Sequence, residues 1–357
     1  MAAELRRGWT TGACATAATA AAYEALLCGA FPDPVTIELP GAKRPAFALA
    51  RTRLADGRAT AGIVKDAGDD PDVTHGALVL ATVRPGETGA GVAFRAGEGV
   101  GTVTLPGLPL AIGEPAINPA PRAMMRAAVQ RLADEFGAGG DVVIEIAVEG
   151  GEALAQRTWN ERLGIVGGLS ILGTTGVVVP YSCSAWIASI RQGIDVAHAT
   201  GHAHVIAATG ATSEQAAQAR YGLAPSALLD MGDFVGPLLK HLARRPIARL
   251  TLAGGFAKLS KLAAGHLDLH SGRSQIDLPR LAATALACGA PDELADTLRG
   301  ANTALHALQL ASAAGVPLAG AVARDARQVV LGVLGGAGIE VEVLVVDRGG
   351  QIVGIAP

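Results

Sequence analysis

The chain has 357 residues, half of them hydrophobic, 17% charged and 3% aromatic, with a formal net charge of −3. That much apolar content excludes a disordered chain, which stays unfolded through low hydrophobicity and high net charge, and the length suffices for two domains with separate cores. Lysine and arginine (29) do not exceed aspartate and glutamate (32), so the chain lacks the basic field and stacking platforms that a nucleic-acid partner requires.

Arg6-Arg7 ahead of the Ala-rich run 13–27 superficially resembles a twin-arginine signal. Glu24 inside the run and the weak hydrophobicity of Ala and Thr favour a helix instead. It opens at Thr10 or Thr11, whose hydroxyls can cap free amides, and closes at Gly29. No stretch reaches the ~18 apolar residues of a membrane span, and no membrane partner is expected. Short β-like runs follow at 35–39, 47–54, 59–64, 78–83 and 91–95, read together as one mixed sheet. After Asn118-Pro119-Ala120-Pro121, the residues Met125, Val129, Leu132 and Phe136 share one helical face, and 141–148 alternates as a strand. The small-residue stretch Glu149-Gly150-Gly151-Glu152 marks the expected boundary between a mixed α+β domain (1–150) and a second domain (151–357). In the second, a helix to about His198, strands at 204–208, 227–229, 248–252 and 339–346, and helices at 213–221, 234–243 and 301–313 alternate. That pattern predicts a largely parallel sheet covered on both faces. Cys14, Cys28, Cys183 and Cys288 form no Cys-x-x-Cys pair, which fits a reducing cytoplasm.

The most unusual segment is 163–176, with five glycines interleaved with hydroxyls and aliphatics. Gly168 and Gly173 can bring backbone amides close to a ligand, with Ser170, Thr174 and Thr175 adding hydroxyl donors for anionic oxygens; a tight loop is the other reading. A P-loop is disfavoured, since no Gly-Lys-Ser/Thr follows. Residues 65–72 set Lys65 beside Asp66, Asp69, Asp70 and Asp72, a group that cannot lie in a core unpaired. It reads either as a solvated acidic turn or as a functional segment, with Asp66 or Asp69 as a general base or as acceptors for ligand hydroxyls. Gly97-Glu98-Gly99-Val100-Gly101 looks like a dinucleotide loop but leads into Thr102-Val103-Thr104 rather than a helix. Arg122, in the first turn of the helix after Asn118, opposes the helix dipole and needs an anionic partner or solvent. His198, His202 and His204 have no carboxylate or cysteine at a matching spacing, so no metal site is expected. His270 and Ser271 belong to a polar loop, 265–272, that either caps the structure or faces a ligand.

In their order, Gly8-Trp9-Thr10-Thr11-Gly12-Ala13-Cys14-Ala15, then 65–76, 97–107, 113–122 and 160–176 resemble the cobalt-precorrin-5B C1-methyltransferase family of anaerobic cobalamin biosynthesis. The resemblance is dense over 8–180 and looser through Asp233-Phe234-Val235-Gly236 and 253–271. It implies methyl transfer from S-adenosylmethionine to carbon 1 of a cobalt-bearing, ring-contracted tetrapyrrole, giving cobalt-precorrin-6A, with cobalt present only as part of the substrate. It also implies an α/β fold: an α+β first domain similar to the second domain of ribosomal protein S5, and a Rossmann-like second domain. On that reading Asp66 and Asp69 are catalytic, and Gly168, Ser170, Gly173, Thr174 and Thr175 hold the cofactor. Thr10, Thr11, Lys65, Glu98, Asn118, Arg122, His270 and Ser271 then meet the corrinoid. A homo-oligomer and hand-over contacts with neighbouring pathway enzymes are compatible with it. The usual methyltransferase signature of a hydrophobic residue and Asp/Glu before a glycine series is absent, so the donor is not placed by motif. Gly254-Gly255-Phe256-Ala257-Lys258-Leu259 lacks the His and second Gly of the family's Gly-His-x-Gly-Lys-Leu form. A non-catalytic tetrapyrrole-binding subunit and a nucleotide-dependent enzyme are the alternatives.

Overall fold

A helix sheathed on all sides along most of its length organises the first half of the chain. After the short strand β1 (Gly8–Trp9), α1 (Thr11–Cys28) buries every residue from Thr11 to Tyr23, and Ala25 as well. Thr10 caps its N-terminus and Gly29, at φ 81°, closes it, as the sequence predicts. Small side chains all round let the helix lie close to its neighbours on every side: Gly12 has no room for a side chain beside Pro121.

The computed structural model describes residues 5–357, in two compact units that divide between Cys183 and Ser184. The fold is mixed α/β. In the first unit, β2 (Val35–Thr36) and β3 (Ala46–Phe47) form a separate two-stranded ribbon. The main sheet holds β4 (Arg51–Ala55), β5 (Arg58–Val64), β6 (Leu78–Pro85), β7 (Val92–Ala96) and, later in the chain, β9 (Val142–Val148). Its order is β4-β5-β6-β9-β7, antiparallel except for β7 against β9. The single sheet expected from 35 to 95 is thus two. The Pro40-Gly41 turn folds the first runs back on each other in a short ribbon of their own, Val35 opposite Phe47 and Thr36 opposite Ala46. Alternate residues Ala59, Ala61, Ile63, Val79, Ala81, Val83, Ile144 and Ile146 form the core face, packed with α1 and α2 (Pro119–Phe136) in one cluster.

The boundary differs from the expected one at 150. Gly150, at φ 66°, is a tight turn into α3 (Gly151–Ala155) rather than a linker, and the chain then returns to the first unit. There β10 (Ile165–Val166) pairs with β8 (Thr102–Val103), and β11 (Val177–Val178) pairs with β1.

The second unit takes nearly all of α4 (Cys183–Ala199), then β12 (His204–Ala208), α5 (Ala211–Tyr221), β13 (Leu228–Asp230), α6 (Val235–Leu242), β14 (Arg249–Gly255) and α7 (Phe256–Ala263). Four helices follow: α8 (Leu278–Ala287), α9 (Asp292–Arg299), α10 (Ala304–Ala313) and α11 (Leu318–Leu334). The chain closes with β15 (Glu340–Val346) and β16 (Ile352–Ala356). The sheet order is β13-β12-β14-β15-β16, the first four strands parallel and β16 an antiparallel edge. Both faces are covered, as expected of parallel strands. Val205, Ala207, Leu250, Leu252, Val343 and Val345 pack with α4, α6, α7 and α11, while Ile206, Ala253 and Leu344 meet Ala217 of α5. Among the described residues no helix is long and apolar enough to cross a membrane.

Candidate functional site

Three of the segments singled out in the sequence meet at the N-terminus of α1. Trp9 donates its amide to the Asp66 carbonyl at 2.7 Å, Thr10 to Gly176 at 3.0 Å, and Gly12 to Leu172 at 3.0 Å. Thr10 and Thr11 are both buried and committed: the Thr10 hydroxyl accepts from Ala13 N–H (3.1 Å), and Thr11 exchanges hydrogen bonds with the Leu172 backbone at 3.3 and 3.1 Å. Gly173 adopts φ 118°, and any side chain there would overlap Thr10. Thr174 and Thr175 follow on the surface, their side chains exposed.

The acidic segment is fastened to this wall. Arg6 forms a two-pronged ion pair with Asp66, one arm at 2.9 Å, and its backbone N–H donates to the Asp69 carboxylate at 2.6 Å. The Arg6 hydrogen bond, then the Gly68 amide, hold the Asp66 carboxyl at about 2. Lys65 is 1% exposed, and its ammonium lies 2.6 Å from Asp72. The other Asp72 oxygen accepts from the Thr74 amide and hydroxyl. Burial alone would raise the Asp72 carboxyl, but Lys65 and these hydrogen bonds bring it below its ordinary value. Burial pushes the neighbouring Cys14 thiol up to about 12 despite Lys65 nearby, so it stays protonated and unreactive. Neither Asp72 as the partner of Lys65 nor Asn160 as a buried anchor is legible from residue type or spacing.

Asn160 belongs to a second close-packed set. Its side-chain amide donates to the Gly168 carbonyl at 3.1 Å, and Ser170 donates to its oxygen at 3.2 Å. Leu169 N–H donates to Gly99, and Gly101 N–H returns to Leu169, each at 2.9 Å. A Cβ on Gly168 would overlap the Gly99 backbone. The glycines of both loops therefore admit each other, and Gly168 and Ser170 are buried in that contact. Glu98 stays exposed. Asn118 starts α2 without a side-chain cap, its amide bonded to Ile171 at 2.9 Å. Arg122 finds its anionic partner within the unit: Glu114 lies 3.1 Å away, and the Ile117 and Pro115 carbonyls accept at 2.7 and 3.0 Å.

His270 and Ser271 lie in the second unit, exposed in the loop after α7. Nearby, Lys258 pairs with Asp233, and the buried Lys261 donates to the Leu269 carbonyl at 3.0 Å. The three clustered histidines go separate ways, His198 to the Pro246 carbonyl, His202 to Ser226 and His204 to Thr251. Thr251 passes the chain of hydrogen bonds to the buried Glu342 at 3.0 Å, and Tyr221 donates to the same carboxylate. Burial, then Arg249, lowers the His204 imidazole below 6.5. At the carboxyl edge of the sheet, Gly210 and Gly255 border open space.

The sequence matches the family described as CbiD over residues 1–180 and that family's C-terminal domain over 268–357. It is 63% identical over 350 residues to the cobalt-precorrin-5B C(1)-methyltransferase of Rhodospirillum rubrum, covering 98% of this chain and 97% of that one. The proteins of the same name from Brucella anthropi and Paramagnetospirillum magneticum are each 59% identical, over 98% and 99% of this chain and 95% and 98% of theirs. A crystal structure of the cobalamin biosynthesis protein CbiD from Archaeoglobus fulgidus aligns with 75% of this chain and 83% of its own, at 27% identity and a TM-score of 0.40.

Proposed function

This chain belongs to the CbiD family, and from that premise we propose that it methylates cobalt-precorrin-5B at C1, giving cobalt-precorrin-6A, with S-adenosylmethionine as donor, in the cytoplasm. The observation that carries the reading is the 59–63% identity, over nearly the whole chain, to relatives bearing that name. The proposal extends to the finer fold kinship, an S5-like first unit and a Rossmann-like second.

When bound, the sulfonium donor supplies an electrophilic methyl group, whose bonding pair stays on sulfur as the macrocycle carbon forms the new bond. What remains for the protein is to align the two carbons and exclude water. Thr174 and Thr175, exposed beside Gly173, offer hydroxyl donors to the acetate and propionate groups around the macrocycle. Glu98, Asn118, His270 and Ser271 are further substrate contacts in this proposal. Thr10, Thr11, Gly168, Ser170 and Arg122 hold the wall in shape through the contacts described above. Asp66, held at about 2, is a permanent anion with little proton affinity at neutral pH, which suits electrostatic positioning rather than proton abstraction. Asp69, exposed beside it and accepting the Arg6 N–H, is the carboxylate assigned as general base in this proposal, and Lys65 fixes the segment from below.

Anaerobic incubation with methyl-labelled S-adenosylmethionine and cobalt-precorrin-5B, followed by mass analysis, tests this directly. One added methyl at C1 is expected. Corrinoid binding without transfer, beside an active control enzyme, would overturn the catalytic reading. Asp69→Asn is expected to lower kcat at least tenfold, and unchanged turnover would remove Asp69 from the site.

A further inference from the structure

Three described residues other than glycine adopt a positive φ: Ala42 at 57°, Asp56 at 54° and Tyr181 at 56°. The fold accounts for two of them. Asp56-Gly57 turns β4 into β5, and Gly41-Ala42 lies between the bridged pair Leu39 and Lys43, where tight antiparallel turns call for the left-handed region. Tyr181 has no such reason. It follows Pro180 in a turn ahead of α4 that glycine or asparagine would make without strain, and a bulky side chain suits this conformation poorly.

Packing does not repay the strain, since Tyr181 is 68% exposed. The chain's other two tyrosines have bonded hydroxyls, Tyr23 to the Gly139 carbonyl and Tyr221 to Glu342. At Tyr181 only the backbone is held, its N–H donating to the Asp70 carboxylate at 2.8 Å. The ring and hydroxyl have no partner among the described residues. Val178 pairs opposite Gly8 on antiparallel strands, so 179–181 runs back along Arg7 and Arg6 to the acidic segment, where Arg6 N–H meets Asp69. Earlier on the same run Leu172 and Val179 are half-exposed, and Thr174 and Thr175 between them are exposed. Apolar surface interleaved with hydroxyls suits a large flat ligand with apolar faces and a polar rim.

We infer that the Tyr181 ring is a stacking surface for the corrinoid macrocycle, with Asp70 as the positioning residue that fixes its backbone. The inference rests on the methyltransferase reading above and adds a substrate contact to it. Strain persists at 181 because an aromatic face has to stand out beside Asp69; glycine would relieve the backbone and supply no ring.

Anaerobic titration of cobalt-precorrin-5B into the full chain, followed by its visible absorbance, tests it, with melting midpoints measured on the ligand-free proteins. Tyr181→Gly is expected to raise the midpoint by about 2 °C. The same variant should raise Kd roughly tenfold or more, while Tyr181→Phe stays within about twofold of wild type. Stability gained with affinity lost is a pairing that a structural tyrosine would not produce. A lowered midpoint would show that the ring serves the fold, and wild-type affinity that it serves no ligand; either result overturns the inference. The affinity for S-adenosylhomocysteine should not change in Tyr181→Gly. Its loss there, with corrinoid affinity kept, would assign the ring to the donor's adenine and overturn the macrocycle contact. Asp70→Ala is expected to raise KM for the corrinoid several-fold at unchanged kcat, and Asp70→Asn, which keeps an acceptor oxygen, to restore it. Amide exchange on the wild-type protein removes any dependence on variants that fail to fold: corrinoid-induced protection at 179–182 supports the contact, and its absence refutes it. A wild-type chain that neither binds the corrinoid nor transfers the labelled methyl would overturn the methyltransferase reading itself.

Discussion

In the first unit Gly168 and Gly173 admit neighbouring protein, whereas in the second Gly210 and Gly255 border open space. The denser glycine segment is thus the one the fold consumes, and the sparse pair is the one left available. Both units also bury charged side chains, and again the solutions differ. Lys65 is matched by a carboxylate, Asp72, while Glu342 is held mainly by the hydroxyls of Tyr221 and Thr251. A glycine or a charge in the sequence shows its purpose only once its neighbours are known.

The contrast breaks most sharply at Gly168. Gly168→Ala drives a methyl group into the Gly99 backbone, and chemical denaturation is expected to record a loss of about 3 kcal/mol or more. Near-native stability would mean that the loops part easily and that these glycines are not committed. Asp72→Asn should follow at roughly 2–3 kcal/mol, below the usual range for breaking a fully buried pair because Asp72 is partly exposed. Adding Lys65→Met should recover much of that loss, which a double-mutant cycle would read.

The contrast at Glu342 is sharpened by pH, through its neighbour Thr251 and the histidine bonded to it. His204 is neutral in the fold and titrates below its ordinary 6.5, so the unfolded chain takes up the proton first. Its contribution is complete above pH 6.5 and declines as pH falls below that value, by at most ~1.4 kcal/mol per pH unit. His204→Gln should flatten the stability profile there, and an unchanged slope would assign the pH response elsewhere. Smaller still, Thr10→Ala removes the cap of α1 and should lower stability by about 1 kcal/mol. Gly255→Ala, entering open space, is expected to stay within ~0.5 kcal/mol of wild type.

Much of the fold was legible because local chemistry decided it. Thr10 and Gly29 bracket α1, and the alternation in β5, β6 and β9 marks their buried face. The boundary was not, because 165–166 and 177–178 pair with strands far back in the chain, and a two-residue ladder leaves no periodic pattern. The helices α8, α9 and α11 and the edge strand β16 were missed as well. They are short or Ala-rich, and a Gly-Gly turn at 349–350 reverses β16 against β15. At the candidate site, 8–14, 65–76 and 168–176 stand out in the sequence as parts of one family pattern, but that they meet at the start of α1 is seen only in the fold. Nor were the partners that occupy Ser170, Arg122 and Lys65 legible, because Asn160, Glu114 and Asp72 are ordinary polar residues until folding sets them in reach.

The sheathing of α1 has a consequence for how the protein tolerates change. In a saturation library, an ordinary helix shows permissive positions every three or four residues, where it meets water. From Thr11 to Tyr23 there is no such side, so the tolerance map should lose its periodicity and reject larger side chains at every step, leaving alanine-to-serine or alanine-to-glycine exchange as the main natural drift.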